Sequence, residues 1–559
     1  MKFYLSNKTE ITLTQADFKA AGGQGSVYVK GATAYKVYAD PQQMIPRAKL
    51  QELSALTQTN IIRPLDVIYD PQNNAVGYTM RHVEDAYALC QLFPKAFRQR
   101  TNLTPEVVLQ LVHNLQASVR HIHQQNILLV DLNEMNFLVA DDFHELYFID
   151  VDSYQTPSFP ATALMESVRD RHAKQFDERS DWFSFAVVSF QMFIGIHPYK
   201  GSHKKLTTMD ARMRANVSVL NPAVTVPSAC LPFDVIPTSW RDWYKAVLED
   251  GKRLPPPEDV QAAITLATIQ VQPQTGSHQF VITKLFELDD EILSHVNNLT
   301  ITKTNIYAGG KRVDSLPCPD AKITITLRQH HVIAVWLEGN QLRVRNLSTG
   351  VEVPADVRGE RLMMNDGRIY MKAGASLSEL TFIELPNKLL VAAKLVGNVL
   401  PNATQLFDGV AMQNLLGAYY ASFFPASGVC YQARLKELDG YQIIDAKAER
   451  NVLIVIAAKS GAYDKFIFRF GENFADYDVR VCSDVTLTDI NFAVLASGVC
   501  LHLNDRDELE LFANRKGSSE LKVISDPAIC GNDKLFSDGH QALIARGNTL
   551  YRIAMSLSG

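Results

Sequence analysis

Hydrophobic residues recur at helical spacing in the first part of the chain. Apolar positions between Pro105 and Gln124 repeat about every 3.6 residues, and a second apolar run lies between Trp182 and Met192. Residues spaced in this way form one face of an α-helix, and that face packs against a core. The pattern therefore predicts helices over Pro105–Gln124 and Trp182–Met192, set among shorter strands in residues 1–265.

The pattern changes near residue 280, after which helical periodicity nearly vanishes. Short apolar segments follow one another, each ended by Gly, Asn or Asp. Two pairs of segments turn on Gly-Asn, at Gly339-Asn340 and at Gly547-Asn548, which is typical of tight β-hairpins. Roughly 280 residues in units of about 40 suit a six- or seven-bladed β-propeller, with a pair of β-sandwiches as the competing arrangement.

Proline and polar residues separate these two parts of the chain. The run Leu254–Pro257 breaks regular structure, a further short helix is predicted over Glu258–Ile269, and Gln270–Ser277 is polar. We expect a first domain over residues 1–268, with its two lobes meeting near residues 83 and 84. A linker over residues 269–279 and an all-β domain over residues 280–559 complete the predicted organisation.

Composition narrows the class of protein. The 559 residues are 47% hydrophobic and 21% charged, with a net charge of −5, which argues against nucleic-acid binding through bulk charge. Seven cysteines without CxxC spacing predict free thiols in a reducing compartment. The first residues lack the features of a signal peptide, and the apolar run Trp182–Ile196 is too short to cross a bilayer. We therefore expect a cytoplasmic, multidomain protein without a membrane partner.

Glycines interrupt the first predicted hairpin. Gly22, Gly23 and Gly25 lie between two strands in the segment Ala20–Tyr28. Because glycine has no Cβ, such a turn lets the backbone approach phosphate oxygens, although a plain hairpin turn uses the same residues. Lys36 follows on the next strand, either as a phosphate ligand or as an exposed strand lysine.

A second group of polar residues lies at predicted strand ends. Asp131 and Asn136 precede an apolar strand, and Asp150 follows the next apolar strand. Phosphoryl transfer needs oxygen ligands for magnesium and a base for the acceptor hydroxyl, and these three side chains supply both. Turn-forming residues are the competing interpretation, which the five matched spacings and the intervening apolar strands disfavour.

In order and spacing, these segments resemble protein kinases over nearly all of residues 15–265. The resemblance implies an α+β bilobal fold that binds ATP and Mg²⁺, with Lys36, Asp131 as the base, and Asn136 as catalytic residues. It implies Asn136 and Asp150 as the metal ligands. The nucleotide-binding set that it implies is Gly22, Gly23, Gly25, Val27, Ala34, Lys36, Glu52, Met80, His82 and Leu138.

The resemblance also assigns places around the adenine. Val27 would cover the ring, Leu138 would form the floor, and Met80 would be the gatekeeper. His82, within Arg81–Val83, would belong to the hinge that offers backbone hydrogen bonds. The stretches after Asp131 and Asp150 are similar to a divergent group of prokaryote and phage kinases.

More distant segments match the same family. Ser180-Asp181 resembles the segment whose Asp caps the backbone of the catalytic loop, and Asn60–Pro64 resembles the turn after helix C. Ala246–Arg253 resembles the end of the C-terminal lobe, where an Arg pairs with a buried Glu.

Four departures from the family pattern bear on activity. Leu129 and Val130 replace the usual His-Arg, so the ordinary control by activation-segment phosphorylation is not expected. Asn133 replaces a lysine that neutralises the transferred phosphoryl group. Asp152 replaces the glycine after the metal ligand, and Phe176–Glu178 only approximates the Ala-Pro-Glu anchor.

The partner of Lys36 is the remaining question. Spacing places Lys49 where the family has a helix glutamate, and the nearest acid is Glu52, one turn further on. We expect Lys49 to be solvated and Glu52 to pair with Lys36.

The resemblance, together with the residues that carry it, favours a Ser/Thr-type protein kinase that transfers the γ-phosphoryl group of Mg-ATP to a protein hydroxyl. The all-β domain would recruit a protein substrate or partner, or fix the oligomeric state, which the sequence leaves open. The alternatives are an ATP-binding pseudokinase that acts as a scaffold, and a small-molecule kinase on the same fold.

Overall fold

The computed structural model describes residues 1–22, 24–258, 279–386 and 388–555. Gly23, the helix predicted over Glu258–Ile269 beyond its first residue, and the predicted linker except for residue 279 lie outside the described residues. The protein has several domains, with six α-helices in the described residues of its first half and a large all-β region after it. No helix in the described part of the chain has the length and apolar character that a membrane crossing requires.

The chain begins with a seven-stranded antiparallel sheet in the order β2-β1-β6-β7-β5-β4-β3. Its strands are β1 (Lys2–Leu5), β2 (Glu10–Thr12), β3 (Phe18–Ala21), β4 (Gly25–Lys30), β5 (Thr33–Tyr38), β6 (Asp66–Tyr69) and β7 (Ala75–Arg81). Helix α1 (Arg47–Leu53) lies between β5 and β6 in the chain. The sheet places the predicted glycine turn between β3 and β4 and places Lys36 on the neighbouring strand β5.

The second part of the first half is mainly helical. It contains α2 (Lys95–Thr101), α3 (Pro105–Gln124), α4 (Glu178–Ile194), α5 (Met209–Ala215) and α6 (Thr238–Leu248), with the short strands β8 (Ala86–Ala88), β9 (Phe137–Ala140), β10 (Leu146–Phe148), β11 (Ser202–His203) and β12 (Val224–Thr225).

The two predicted helices are confirmed. Helix α3 has the predicted bounds because Thr104 caps its first turn by accepting a hydrogen bond from Val107 N, and Pro105 is tolerated at the first position. Helix α4 is buried along nearly its whole length, as its continuous apolar sequence predicts. It ends at Gly195, whose φ of +82° is the left-handed conformation that favours glycine.

The all-β region, residues 279–555 and called the β region below, forms seven four-stranded antiparallel sheets. In chain order its strands are β13 (Phe280–Glu287), β14 (Ile292–Val296), β15 (Leu299–Thr302), β16 (Asn305–Ala308), β17 (Lys311–Ser315), β18 (Lys322–Ile325), β19 (Val332–Glu338), β20 (Gln341–Asn346), β21 (Val351–Glu352), β22 (Arg361–Asn365), β23 (Arg368–Ala373), β24 (Ser376–Leu385), β25 (Lys388–Asn398), β26 (Thr404–Phe407), β27 (Val410–Leu415), β28 (Ala418–Phe423), β29 (Tyr431–Arg434), β30 (Gln442–Glu449), β31 (Val452–Lys459), β32 (Ala462–Phe470), β33 (Tyr477–Cys482), β34 (Phe492–Val494), β35 (Val499–Leu503), β36 (Leu509–Ala513), β37 (Leu521–Ile524), β38 (Lys534–Asp538), β39 (Gln541–Arg546) and β40 (Thr549–Met555).

Six of these sheets take four consecutive strands, and the seventh joins the two ends of the region. Its order is β13-β40-β39-β38, so the first strand of the β region pairs with the last, with Phe280 opposite Met555. Both predicted Gly-Asn hairpins are confirmed, with turns at Gly339-Asn340 and Gly547-Asn548. Each glycine has a positive φ, as a two-residue hairpin turn requires.

The β region packs directly onto the helical part of the first half. Side chains from both belong to one continuous hydrophobic core, to which the β region contributes Ile444, Ile456, Ala458, Tyr463, Val485 and Leu487. Helix α2 lies against the β region, where Lys95 Nζ donates to Asn532 Oδ1 at 2.5 Å. The helical part and the β region are therefore not independent modules joined only by a linker.

Candidate functional site

The glycine turn between β3 and β4 is tight at one glycine and open at another. Gly22 N donates to the Gly25 carbonyl oxygen at 2.8 Å, which closes the turn. A Cβ on Gly25 would lie 2.3 Å from the Val37 carbonyl oxygen, so the close approach of β5 excludes any side chain there. Gly22 is exposed, and in the described part of the chain no heavy atom other than those of Gly22 and its chain neighbours lies within 4 Å of where its Cβ would be. The backbone at Gly22 is therefore accessible to a ligand, whereas Gly23 lies outside the described residues.

Lys36 is a buried lysine surrounded by acidic side chains. Its Nζ lies 2.9 and 3.1 Å from the two carboxylate oxygens of Asp152 and 3.2 Å from Asp150 Oδ1. Burial opposes the charge, but the two carboxylates outweigh it and raise the pKa of Lys36. Burial also opposes ionisation of Asp152, while Lys36 and the Tyr38 hydroxyl outweigh it and lower the pKa of Asp152. The site therefore holds a fixed positive charge beside two carboxylates.

The predicted pairing of Lys36 with Glu52 is wrong in this structure. The Glu52 carboxylate instead accepts a hydrogen bond from Ser158 N at 3.2 Å. Lys49, expected to be solvated, is only 1% exposed, and its Nζ lies 3.4 Å from the Pro160 carbonyl oxygen. The physical reason is the acid at position 152, which occupies the place beside Lys36 and leaves no role for a carboxylate on α1.

Asp181, at the start of α4, organises the loop that carries Asp131. Its buried carboxylate accepts hydrogen bonds from Leu129 N at 2.8 Å and Val130 N at 2.9 Å, and it lies 2.9 Å from His123 Nε2. The first two bonds are those expected for an aspartate that caps this loop. Val130 has a φ of +62°, which is costly for a β-branched residue and is sustained by this network. Strain of this kind is typical of functional loops.

Asp131 and Asn136 contact each other across this loop. Asn136 Nδ2 donates to Asp131 Oδ2 at 3.2 Å and to the Asp131 carbonyl oxygen at 2.9 Å. The other carboxylate oxygen, Oδ1, accepts a hydrogen bond of 2.6 Å from Met165 N. Burial raises the pKa of Asp131, and the hydrogen bonds it accepts offset part of that rise. A buried carboxylate of raised pKa suits a group that accepts a proton during a reaction.

A backbone hydrogen bond joins Asn136 to the residue before Asp150. Ile149 N donates to the Asn136 carbonyl oxygen at 3.0 Å, and Asp150 itself adopts a left-handed conformation with a φ of +53°. The Asp150 side chain is 52% exposed, so it remains accessible although it contacts Lys36. This geometry places Asn136 just before β9 and Asp150 just after β10, at neighbouring ends of two paired strands.

The donor set fits magnesium. Because the Asn136 amide nitrogen donates a hydrogen bond to Asp131, the amide oxygen of Asn136 is the atom suited to bind a metal. Asp150 adds a carboxylate oxygen. Mg²⁺ prefers oxygen ligands and usually takes only one or two from the protein, the rest coming from phosphates and water. In the described residues, no group of three or more His, Cys, Asp or Glu side chains is placed to hold a metal ion.

The predicted adenine-contacting residues are distributed over both parts of the first half. Val27, Ala34 and Met80 lie in the N-terminal sheet, where Ala34 is buried and directly opposite Met80. Leu138 lies on β9, paired with Ala88 of β8. The structure therefore gives these side chains the strand positions that the sequence indicated.

His82 is less available than the sequence suggested. Its backbone N–H donates to the Ala32 carbonyl oxygen at 2.9 Å and is therefore not available to an adenine. Burial lowers the pKa of the His82 ring, which favours the neutral imidazole.

The segment after Asp150 is anchored by a pair that the sequence did not indicate. Arg253 forms two hydrogen bonds with Asp170, at 2.5 and 2.7 Å, instead of pairing with a buried glutamate. Asp177 caps the first turn of α4 by accepting from Arg179 N and Ser180 N. An Asp in a loop carries no sequence signal for such a pairing, and only the chain path reveals it.

The β region contacts the loop that carries Asp131. The Tyr463 hydroxyl donates to Glu134 Oε1 at 2.6 Å, and burial raises the pKa of Glu134. Next to this pair, Lys200 Nζ lies 2.6 Å from Asp484 Oδ1 and 2.7 Å from the Val485 carbonyl oxygen. Neither contact has a sequence signal, because both join residues hundreds of positions apart.

A hairpin turn of the β region packs on the segment that holds Met165. A Cβ on Gly461, between β31 and β32, would lie 2.6 Å from Ser167 Oγ and 2.9 Å from Met165 Cγ. Because Met165 N donates to Asp131, the β region packs against the residue that covers the carboxylate of Asp131.

Comparison with known proteins yields partial matches. No family model matches the chain. It is similar to a probable serine/threonine-protein kinase of Dictyostelium discoideum, with 21% identity over 230 residues, which is 39% of this chain and 16% of the relative. It is also similar to the serine/threonine-protein kinase atg1 of the same organism, with 24% identity over 161 residues, 27% of this chain and 23% of the relative. The chain thus covers less than a quarter of either relative, and these matches support a kinase-like relationship for part of it.

Proposed function

We propose that this chain is an ATP- and Mg²⁺-dependent protein kinase of the Ser/Thr type. The observation that carries the proposal is the 3.2 Å contact between Lys36 Nζ and Asp150 Oδ1. It joins a lysine of the N-terminal sheet to a carboxylate at the end of β10, 114 positions later. A phosphate-binding lysine and a metal ligand must lie side by side in this way, because the metal and the lysine contact the same phosphate groups.

Each side chain has a role that its surroundings support. Lys36 and the backbone of the glycine turn would bind the phosphates, and Asn136 and Asp150 would hold magnesium through oxygen atoms. Asp131 would orient the acceptor hydroxyl and take its proton as the γ-phosphoryl group moves from ADP to that oxygen. The raised pKa of Asp131 favours such proton acceptance.

The second candidate is an ATP-binding pseudokinase that acts as a scaffold. Both carboxylate oxygens of Asp131 already accept hydrogen bonds within the chain, from Met165 and Asn136. The bond from Met165 must yield before a substrate hydroxyl can reach Oδ1. Transfer to a small molecule is the third candidate, since Asn133 lacks the charge that the family uses toward protein substrates.

For the β region we propose a seven-bladed propeller that binds a protein substrate or partner. Seven four-stranded sheets and the pairing of the first strand with the last support this architecture, because such pairing closes a ring of blades. A rigid ring presents loops suited to recognition. Seven free thiols support a cytoplasmic location, and the stretches after Asp131 and Asp150 support a place among prokaryote and phage kinases.

The deciding experiment is phosphoryl transfer from γ-labelled Mg-ATP by the full chain, to itself and to a general protein acceptor. We expect transfer, and a loss on the order of 100-fold in D131N, because that variant keeps the shape and loses the base. The matched control is D142N, an exposed carboxylate in the loop after β9, which should behave as the wild type.

A thermal shift with Mg-ATP separates the candidates. We expect Mg-ATP to raise the melting temperature, D150A to abolish that rise and D142A to preserve it. A rise without any transfer would favour the scaffold, and the absence of both would reject nucleotide binding altogether.

A further inference from the structure

Asp152 is a fully buried carboxylate whose hydrogen bonds join it to Lys36 and Tyr38 of β5. It is only 1% exposed. Both of its oxygens contact Lys36 Nζ, at 2.9 and 3.1 Å, and Oδ2 also accepts a 2.5 Å hydrogen bond from the Tyr38 hydroxyl. A buried charge is retained only when it is paired, and this one is paired with the lysine proposed to bind phosphate.

In protein kinases, a glutamate on the helix that corresponds to α1 pairs with the lysine, but no carboxylate of α1 contacts Lys36 in the described residues. The buried residues of α1 are Leu50, Leu53 and Lys49, a cation whose Nζ lies 3.4 Å from the Pro160 carbonyl oxygen. The carboxylate of Glu52, on the same helix, is held by Ser158 N. The negative charge beside Lys36 therefore comes from the loop after β10 and not from α1.

The loop that carries Asp152 is closed by hydrogen bonds and also carries the proposed metal ligand. Residues Val151–Ser153 form one turn of 3₁₀-helix directly after Asp150. Ser153 ties it to Asp150, since both its N–H and its hydroxyl donate to the Asp150 carbonyl oxygen, at 3.0 and 2.8 Å. A single short turn thus sets the positions of both carboxylates that face Lys36.

We propose that Asp152 is the positioning residue for Lys36 and takes the part of a helix glutamate, so that one turn holds both the lysine and the metal ligand. The inference rests on the proposed function, because it concerns the same nucleotide site. Its consequence is that Lys36 needs no carboxylate from α1, since Glu52 is held by Ser158 N. Helix α1 packs against the turn Val151–Ser153, so its influence on Lys36 would act through Asp152.

The competing explanation is that the pair only stabilises the fold. Breaking a buried ion pair destabilises a protein whether or not the pair serves a ligand. A loss of stability is therefore no test, and the readout must be nucleotide affinity measured well below the melting temperature.

The test is a double-mutant cycle on the full chain, with the dissociation constant for Mg-ATP measured by calorimetry. D152N keeps the shape and removes the charge, and we expect affinity to fall about tenfold. On a K36M background the same change should have almost no further effect, because Asp152 acts through the lysine. E52Q is the matched control and should leave affinity unchanged, since its carboxylate contacts Ser158.

A second variant covers the case in which D152N fails to fold. Y38F keeps both charges and removes one hydrogen bond to Asp152, and we expect a loss of about threefold that disappears on the K36M background. Wild-type affinity in D152N or Y38F, or equal losses with and without Lys36, would overturn the inference alone. If the wild type does not bind Mg-ATP, both the proposed function and this inference are rejected.

Discussion

Tyr463 of the β region donates a 2.6 Å hydrogen bond to Glu134, three positions beyond Asp131 in the first half of the chain. Both residues are buried, and Tyr463 belongs to the hydrophobic core that the two parts share. The loop that carries the proposed base is therefore supported by a residue more than 300 positions away. Loss of the β region would expose this loop and the core beneath it.

Removing that hydroxyl should destabilise the protein. In Y463F, Glu134 Oε1 loses its donor, and Oε2 already has no hydrogen-bond partner among the described residues. We expect a decrease of about 1–3 kcal/mol in the free energy of unfolding, measured with denaturant. Y431F, at an exposed tyrosine of β29, should change it by no more than about 0.5 kcal/mol. Equal effects of the two substitutions would contradict a structural role for the contact.

The pair formed by Arg253 and Asp170 should anchor the segment after Asp150. In D170N the largely buried Arg253 loses a carboxylate that binds it through two hydrogen bonds. We expect a loss of about 3–5 kcal/mol in stability and faster proteolysis of residues 152–177.

Its control is D210N, which removes a half-exposed carboxylate that pairs with Arg171 and Arg214. Arg214 is exposed, and Arg171, although largely buried, keeps a second carboxylate in Glu166 at 2.9 Å, so we expect D210N to cost no more than about 1 kcal/mol. If D170N were as mild as D210N, the anchor would be assigned wrongly.

Placing at position 133 the lysine that protein kinases carry should not increase phosphoryl transfer. Asn133 is 1% exposed, and its Oδ1 accepts a 2.9 Å hydrogen bond from Met135 N, which caps the next turn. N133K would bury an ammonium group and remove this cap, so we expect a destabilisation of at least about 2 kcal/mol. N133S, which can keep the cap, should cost about 1 kcal/mol or less. A stable N133K variant with faster phosphoryl transfer would refute this expectation.

The β region should carry an acid-sensitive cluster around Glu510. Burial opposes its ionisation, but hydrogen bonds from His502 and Arg480 lower the pKa of Glu510 to about 2, from an ordinary value of 4.5. Because the folded-state pKa is depressed, the stabilising contribution is complete above about pH 4.5 and is lost as the pH falls toward about 2. Burial also lowers the pKa of His502, so the folded protein favours the neutral ring. The stabilising contribution of His502 is complete above about pH 6.5 and is lost as the pH falls below that value.

E510Q should therefore flatten the dependence of stability on pH in this lower window. The measurement is the free energy of unfolding as a function of pH for the wild type and the variant. E520Q, at an exposed glutamate, should follow the wild-type curve. A wild-type slope in E510Q would show that the acid sensitivity lies elsewhere.

Much of the local structure follows from the sequence. The bounds of α3 follow from apolar spacing, from Thr104 as cap and from Pro105 at the first position, all of which act within one turn. The Gly-Asn hairpins follow from a backbone conformation that few residues adopt. The sequence also indicated which strand carries Lys36 and which loops carry Asp131, Asn136 and Asp150. The roles of these residues stay predictions.

The tertiary structure alone decided which charged groups meet. Asp152 contacts Lys36, Asp170 contacts Arg253 and Tyr463 contacts Glu134 across separations of 116, 83 and 329 residues. An isolated loop carboxylate has the same local sequence signal whether it is solvated or paired, and only the chain path brings its partner within reach. Lys49 is buried for the same reason, because the segment around Pro160 covers it. Local preferences thus determined the elements of this protein, and long-range packing determined its electrostatic pairs.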